Sequence, residues 1–149
     1  MDELCHSLSV SQARIFDRSV KNGISSYFFI KSFMLSNQAR ELDNLNLEGA
    51  GLTEVDIFDA ICEKVSIRRG ELLPYEIIHF IGYFYRSASY LCGVTSKYLY
   101  KNIPPKFLVN NFKTLHAIAI EDAIEEVFDA LHLITKSKNE LFIEIYKKI

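Results

Sequence analysis

The sequence predicts an all-α fold: one helical domain spanning residues 1–149, with about six to eight helices around a central apolar helix, at the usual ~11 residues per helix. Three observations predict it. Apolar residues recur at spacings of three and four along most of the chain. No run of alternating residues is long enough for a sheet. One stretch, PYEIIHFIGYFYRSASYLC from Pro74, is apolar nearly all round, the pattern of a helix enclosed by its neighbours.

The elements follow in order. Ala13, Phe16 and Val20 share one face of a first helix, and Gly23 after SVKN is its natural stop. Ser25 or Ser26 is placed to cap a second segment, YFFIKSFMLSNQARELDN, apolar early and polar late. Residues 43–52, DNLNLEGAGL, hold two glycines and two asparagines and make the most loop-like connection. Thr53, with Asp56 three residues on, opens the next helix in the manner of a capping box. Its expected buried stripe is Val55, Phe58, Ile61, Cys62 and Val65, and IRRG closes it with cations where the helix dipole favours them. Pro74 suits the first turn of the central helix. Gly82 within that helix costs about 1 kcal/mol against alanine, which close approach of a neighbour would offset. Pro104-Pro105 breaks the chain and launches KFLVNNF. Ile120, Ala123, Ile124, Val127, Phe128, Leu131 and Ile134 form the clearest stripe, opposite Glu121, Asp122, Glu125, Glu126 and Asp129. Asn139 is placed to cap a last helix with a stripe of Leu141, Phe142, Ile145 and Ile149.

Composition narrows the function classes. Net charge is −2 and the pI about 6.1, so no global field draws the chain to nucleic acid or anionic lipid. Cys5, Cys62 and Cys92 are far apart, form no zinc spacing, and read as free thiols in a reducing compartment. The start, MDELCHSLSVSQARIF, has no long apolar core and does not read as a signal peptide. The most apolar run, Ile77 to Cys92, carries His79 and Arg86 and is short for a bilayer. A cytoplasmic protein with no membrane contact is expected, and the apolar share is compatible with a homodimer.

Two features could carry function. In LCGVTSKYLYKNIPP, residues 91–105, Gly93, Val94 and Leu99, with Ser89 before them, occupy the turn and anchor places of a helix-turn-helix. Thr95, Ser96, Lys97, Tyr98 and Lys101 would then be DNA readers. Arg86, Lys97, Lys101, Lys106 and Lys113 make a local basic patch, since no acid lies between the first and the last. The plainer alternative is a helical corner with a solvated basic face. On the central helix, Glu76, His79, Tyr83, Arg86 and Tyr90 fall at helical spacings and form one polar seam. That seam is either a solvated edge or a groove for a partner, where Tyr and Arg are favoured anchors. His116 reads as a structural histidine. No zinc, P-loop or nucleophile-elbow motif exists, so no catalytic residue, metal or cofactor is assigned. The acidic face of residues 121–129 reads as a solvated helix face or a dock for a basic partner.

The stretch IGYFYRSASYLCGVTSKYLYK resembles an uncharacterised family of small all-helical proteins from Gram-positive bacteria, associated with toxin–antitoxin-like or mobile-element cassettes. Gly82, Tyr83, Tyr85, Arg86, Gly93, Ser96, Lys97, Tyr100 and Lys101 carry the likeness, with LHAIAIEDAIEEV around His116 and the early NGISSYFFIKSFMLSNQARELDN. Ser87-Ala88, Ala117 and the tail from Ser137 depart from it. The resemblance implies a setting of toxin neutralisation or mobile-element defence. The expected function is that of a non-enzymatic protein-binding module acting on a partner protein such as a toxin, anchored by Tyr83, Arg86, Tyr90, Lys97, Tyr98 and Lys101. A DNA-binding regulator using residues 93–103 is the first alternative. A small enzyme for a nucleotide or phosphate substrate, built on Tyr83, Arg86 and His116, is the second.

Overall fold

The structure is a computed structural model that describes residues 2–45, 53–66 and 68–133. Within them run nine helices and no strand: α1 (Glu3–Lys21), α2 (Ser26–Met34), α3 (Asn37–Asp43), α4 (Glu54–Lys64), α5 (Tyr75–Cys92), α6 (Ser96–Asn102), α7 (Pro105–Asn110), α8 (Phe112–Leu115) and α9 (Ile120–Ala130). The all-α expectation holds, with more and shorter helices than the length suggested. The expected last helix from Asn139, Ile134 of the α9 stripe, and residues 46–52 of the loop-like connection lie outside the described residues.

The two longest helices, α1 and α5, form the centre of the fold and run antiparallel. Asp2 at the start of α1 meets Tyr90 near the end of α5, and Asp17 meets His79 near its start. Gly82 lets their backbones approach. A Cβ there would lie 2.9 Å from Phe16 Cγ, 3.0 Å from Ala13 Cα and 3.1 Å from Gln12 O. The cost of a glycine inside a helix is therefore offset by the close packing that the sequence demanded. Beside this pair, Phe16 packs edge to face on Phe29 and on Phe33, and Phe58 of α4 packs on Phe29 at 5.6 Å.

Three boundaries differ from expectation for local reasons. The segment after Ser25 is two helices, because Ser36 ends one and starts the other. Its Oγ donates to Phe33 O at 2.6 Å and accepts from Ala39 N–H at 3.1 Å. The α4 helix stops at Lys64, and Val65 is already extended, so Arg68 and Arg69 lie beyond the helix and not on its last turn. Residues 68–73 instead line the α1–α2 turn: Ser25 N–H donates to Arg68 O, Ser26 N–H to Glu71 O, and Leu73 N–H to Ser26 Oγ. The α4 helix also buries Ile57, Phe58 and Ile61 while Val55 is 41% exposed, since contact with Phe29 sets its rotation. Pro74 is the residue before the α5 helix rather than within its first turn. The α9 stripe of Ala123, Ile124, Val127 and Phe128 is buried as expected, with its five carboxylates exposed. Among the described residues no helix is long and apolar enough to cross a membrane.

Candidate functional site

The polar seam of α5 is not a free groove; α1 lies along it. His79 Nδ1 is 2.8 Å from Asp17 Oδ2, Tyr83 Oη is 2.8 Å from His6 Nδ1, and Tyr90 donates to Asp2 Oδ2 at 3.0 Å. Of the five, only Glu76, exposed in the first turn, makes no side-chain hydrogen bond or ion pair among the described residues. Burial raises the Tyr83 pKa, and the bond to Asp2 raises that of Tyr90, so both phenols stay protonated. Tyr83 and Tyr90 therefore lock two helices together. As expected partner anchors they are half-buried, with their hydroxyls engaged by α1 and its cap.

Arg86 is corrected more sharply. It is 1% exposed. An arginine inside an apolar helix must find acceptors, since an unpaired buried charge costs several kcal/mol. It finds three. Nε donates to Gln12 Oε1 at 2.7 Å, Nη1 to Asp43 Oδ1 at 2.7 Å, and Nη2 to Ser96 Oγ at 3.1 Å. Gln12 Nε2 in turn donates to Gly82 O, fixing the amide. Asp43, the last residue of α3, collects further donors, Ser96 Oγ at 2.6 Å and Ser96 N–H at 2.8 Å, and Ser89 Oγ lies 3.2 Å from its Oδ1. Burial pulls the Arg86 pKa below its usual value and Asp43 opposes that, leaving a guanidinium that stays protonated at neutral pH. This clasp ties α1, α3, α5 and α6 into one unit.

The clasp places the corner that the sequence singled out. Gly93 ends α5 in the left-handed region at φ 65°, where a side chain would be strained. Val94 and Leu99 are buried, and Ser89 donates to Val94 O at 2.6 Å. The α6 helix is seven residues long and would not hold its shape alone. Asp43 fixes its first turn, Thr95 Oγ1 accepts from Tyr98 N–H at 3.1 Å, and Tyr85 donates to Ile103 O at 2.6 Å just past its end. Of the five expected DNA readers, Ser96 is buried in the clasp and the Thr95 hydroxyl is engaged as a cap. Lys97 and Lys101 are exposed one turn apart, with Tyr98 half-buried beside them. With Arg86 enclosed, the basic patch reduces to Lys97, Lys101, Lys106 and Lys113, all exposed.

A separate cleft of about 700 Å3 is bounded by α2, the start of α3, α4 with the segment after it, and α6. Three cations line it, Lys31, Lys64 and Arg68, together with the rings of Tyr27, Phe28 and Tyr100. No Asp or Glu is among its described lining residues. Sequence reasoning missed this site because its charges come from positions far apart in the chain. The one local hint, RR at 68–69, was attributed to a helix end. The Arg86–Asp43 pair had a better signal: a cation in an apolar helix required a carboxylate, but nothing local said which.

The remaining candidates are separate. His116 stacks on Phe112 at 4.2 Å, and its Nδ1 lies 2.7 Å from Phe112 O. Tyr83 faces His6, and Arg86 faces Asp43, so the three groups expected to share an enzyme site have three different sets of neighbours. Cys5 and Cys92 are buried, Cys62 is half-buried, and all are free thiols. Burial raises the thiol pKa of Cys5 and of Cys62. Among the described residues no group of three or more His, Cys, Asp or Glu could hold a metal ion. Comparison of the chain with protein-family models, with curated proteins and with solved structures finds no match in any of the three.

Proposed function

We propose that this protein is a non-enzymatic binding module for a partner protein, and that the exposed face of α6 is where the partner docks. The observation that carries the reading is the clasp. A seven-residue helix is held at both ends by buried polar bonds, and its outer face presents Lys97, Tyr98 and Lys101. A rigid, pre-positioned face loses little freedom on binding, which is how small contact surfaces gain affinity. The lysines steer an acidic partner and the tyrosine supplies contact area. The likeness of IGYFYRSASYLCGVTSKYLYK to small helical proteins of toxin–antitoxin-like cassettes favours a toxin as the partner, and three unpaired cysteines favour a reducing, cytoplasmic setting.

The test is capture from a lysate of the native cells by the tagged full chain, with and without nuclease. One protein retained in stoichiometric amount by the wild type, and lost by Lys97→Glu/Lys101→Glu, is the expected result. Tyr98→Ala should weaken the complex by about 2 kcal/mol, the scale of an interface anchor. Equal retention by all variants would overturn the site. A DNA reading shares the four exposed lysines, which could follow a phosphate backbone. Recovery of DNA that is lost on nuclease treatment and at high salt would favour it over the protein partner.

A further inference from the structure

The α2–α4–α6 cleft is not used by the partner reading above, and its chemistry is different. Its volume of about 700 Å3 falls within the range of small-molecule sites. Lys31, Lys64 and Arg68 are exposed and bring three positive charges to it, while the described lining contributes no carboxylate. Arg68 is held in place from two directions. Its guanidinium lies over the Phe28 ring at 4.9 Å, and its carbonyl accepts from Ser25 N–H at 2.8 Å. A stacked guanidinium keeps its edge N–H groups free for a planar or tetrahedral anion. Ile61 contributes a buried apolar surface, and Tyr27 and Tyr100 add half-buried rings from α2 and α6.

Gln38 adds a half-buried polar side chain to the same lining, beside Ser32, Ser36 and Asn37.

The geometry points to a nucleotide as the ligand of this cleft: a phosphomonoester among Lys31, Lys64 and Arg68, with its base against the rings of Tyr27 and Tyr100. Each part of that ligand answers a separate observation. A phosphomonoester carries a charge of about −1.5 to −2 at neutral pH, a better match to three cations than a single carboxylate. A flat base stacks on tyrosine and fills the apolar part of the cleft beside Ile61. Inorganic phosphate alone would leave the rings and most of the volume empty. The inference concerns binding and not turnover, and it stands or falls independently of the protein partner at the α6 face.

Titration calorimetry of the full chain with AMP, GMP, CMP and UMP tests it, with the matching nucleoside and inorganic phosphate as half-ligands. Saturable binding of at least one nucleotide, one per chain, is expected, with each half-ligand at least about tenfold weaker. Lys31→Gln and Arg68→Gln should each weaken it about tenfold, the scale of a charge-assisted hydrogen bond. Both positions are exposed, so an unchanged far-UV circular dichroism spectrum shows that the fold is intact. Lys106→Gln, which does not line the cleft, should leave binding as it was. No saturation at several millimolar nucleotide would overturn the inference. So would phosphate binding as tightly as the nucleotide, or affinity that survives both cleft substitutions.

Discussion

Arg86 and Arg68 show what this fold does with charge in two different settings. Arg86 sits in the middle of the apolar helix α5, 1% exposed, with its donors engaged by Gln12, Asp43 and Ser96. Arg68 sits in an irregular segment, exposed, stacked on Phe28, in a cleft whose described lining has two other cations and no acid. In the first region electrostatics holds helices together, and all that it offers a partner is the placement of α6. In the second the charges are exposed to solvent and share a cleft with no described carboxylate in its lining. A buried charge must be matched within the protein, whereas an exposed one is already solvated and can be left unmatched.

The comparison is broken most forcefully by removing Asp43. Asp43→Ala leaves the Arg86 guanidinium buried without its carboxylate and strips Ser96 N–H of its acceptor. A loss of about 3–5 kcal/mol is expected on the scale of broken buried ion pairs, read as a fall in the urea midpoint. The double variant Asp43→Leu/Arg86→Met should lose less than Asp43→Ala does, because no charge is then left unpaired. A double variant as unstable as the single would mean that packing, and not charge pairing, dominates there.

Gly82→Ala comes next and probes the same helix pair without charge. The new methyl would meet Ala13 Cα and Gln12 O at 3.0–3.1 Å, backbone atoms that cannot swing aside. Overpacking of this kind costs about 1–3 kcal/mol, whereas the same substitution in an open helix would stabilise by about 1 kcal/mol. A Gly82→Ala protein more stable than the wild type would show that α1 and α5 are not in close contact.

Where the sequence was legible, and where it was not, follows from the same contrast. The α9 stripe, the Gly93 turn and the close approach at Gly82 depend on neighbours in sequence or on one backbone property, and each was readable. The seam of Tyr83, Arg86 and Tyr90 was correctly identified as polar and unusual, but not as the contact face for α1. Its partners Asp2, His6, Gln12 and Asp43 lie 43 or more positions away. Periodicity also hides polar residues that face a core: Ser9 and Ser87 bond to each other at 2.8 Å in full burial, where an apolar stripe would be expected. The cleft was illegible for a further reason. Lys31, Lys64 and Arg68 are ordinary surface residues one by one, and only the packing of α4 beside α2 makes them a site.

A smaller effect is expected at the first turn of α1, where Asp2 caps the helix by accepting from Cys5 N–H at 2.7 Å. That bond holds the Asp2 carboxyl below its ordinary pKa of 3.8, so the folded chain takes up the proton less readily than the unfolded one. Its contribution to stability is therefore present at neutral pH and is lost as pH falls below 3.8. The wild type should be more stable than Asp2→Ala at pH 7, and the difference in thermal midpoint should narrow as pH falls from 5 to about 3. A difference that stays constant over that range would show that the carboxylate charge plays no part in the cap.

The least effect on stability is expected where the comparison began, at the cleft. Lys31→Gln/Arg68→Gln removes two exposed cations from a cleft whose described lining holds no Asp or Glu, so unfolding free energy should change by no more than about 0.5 kcal/mol. A rise within that margin would fit better still, because it would reveal like charges repelling one another across an empty cleft. A loss of 2 kcal/mol or more would instead make Arg68 a second Arg86, committed to the fold through its stack on Phe28. The same variant then separates the two roles: if stability holds and nucleotide affinity falls, these charges serve a ligand and the helices stand without them.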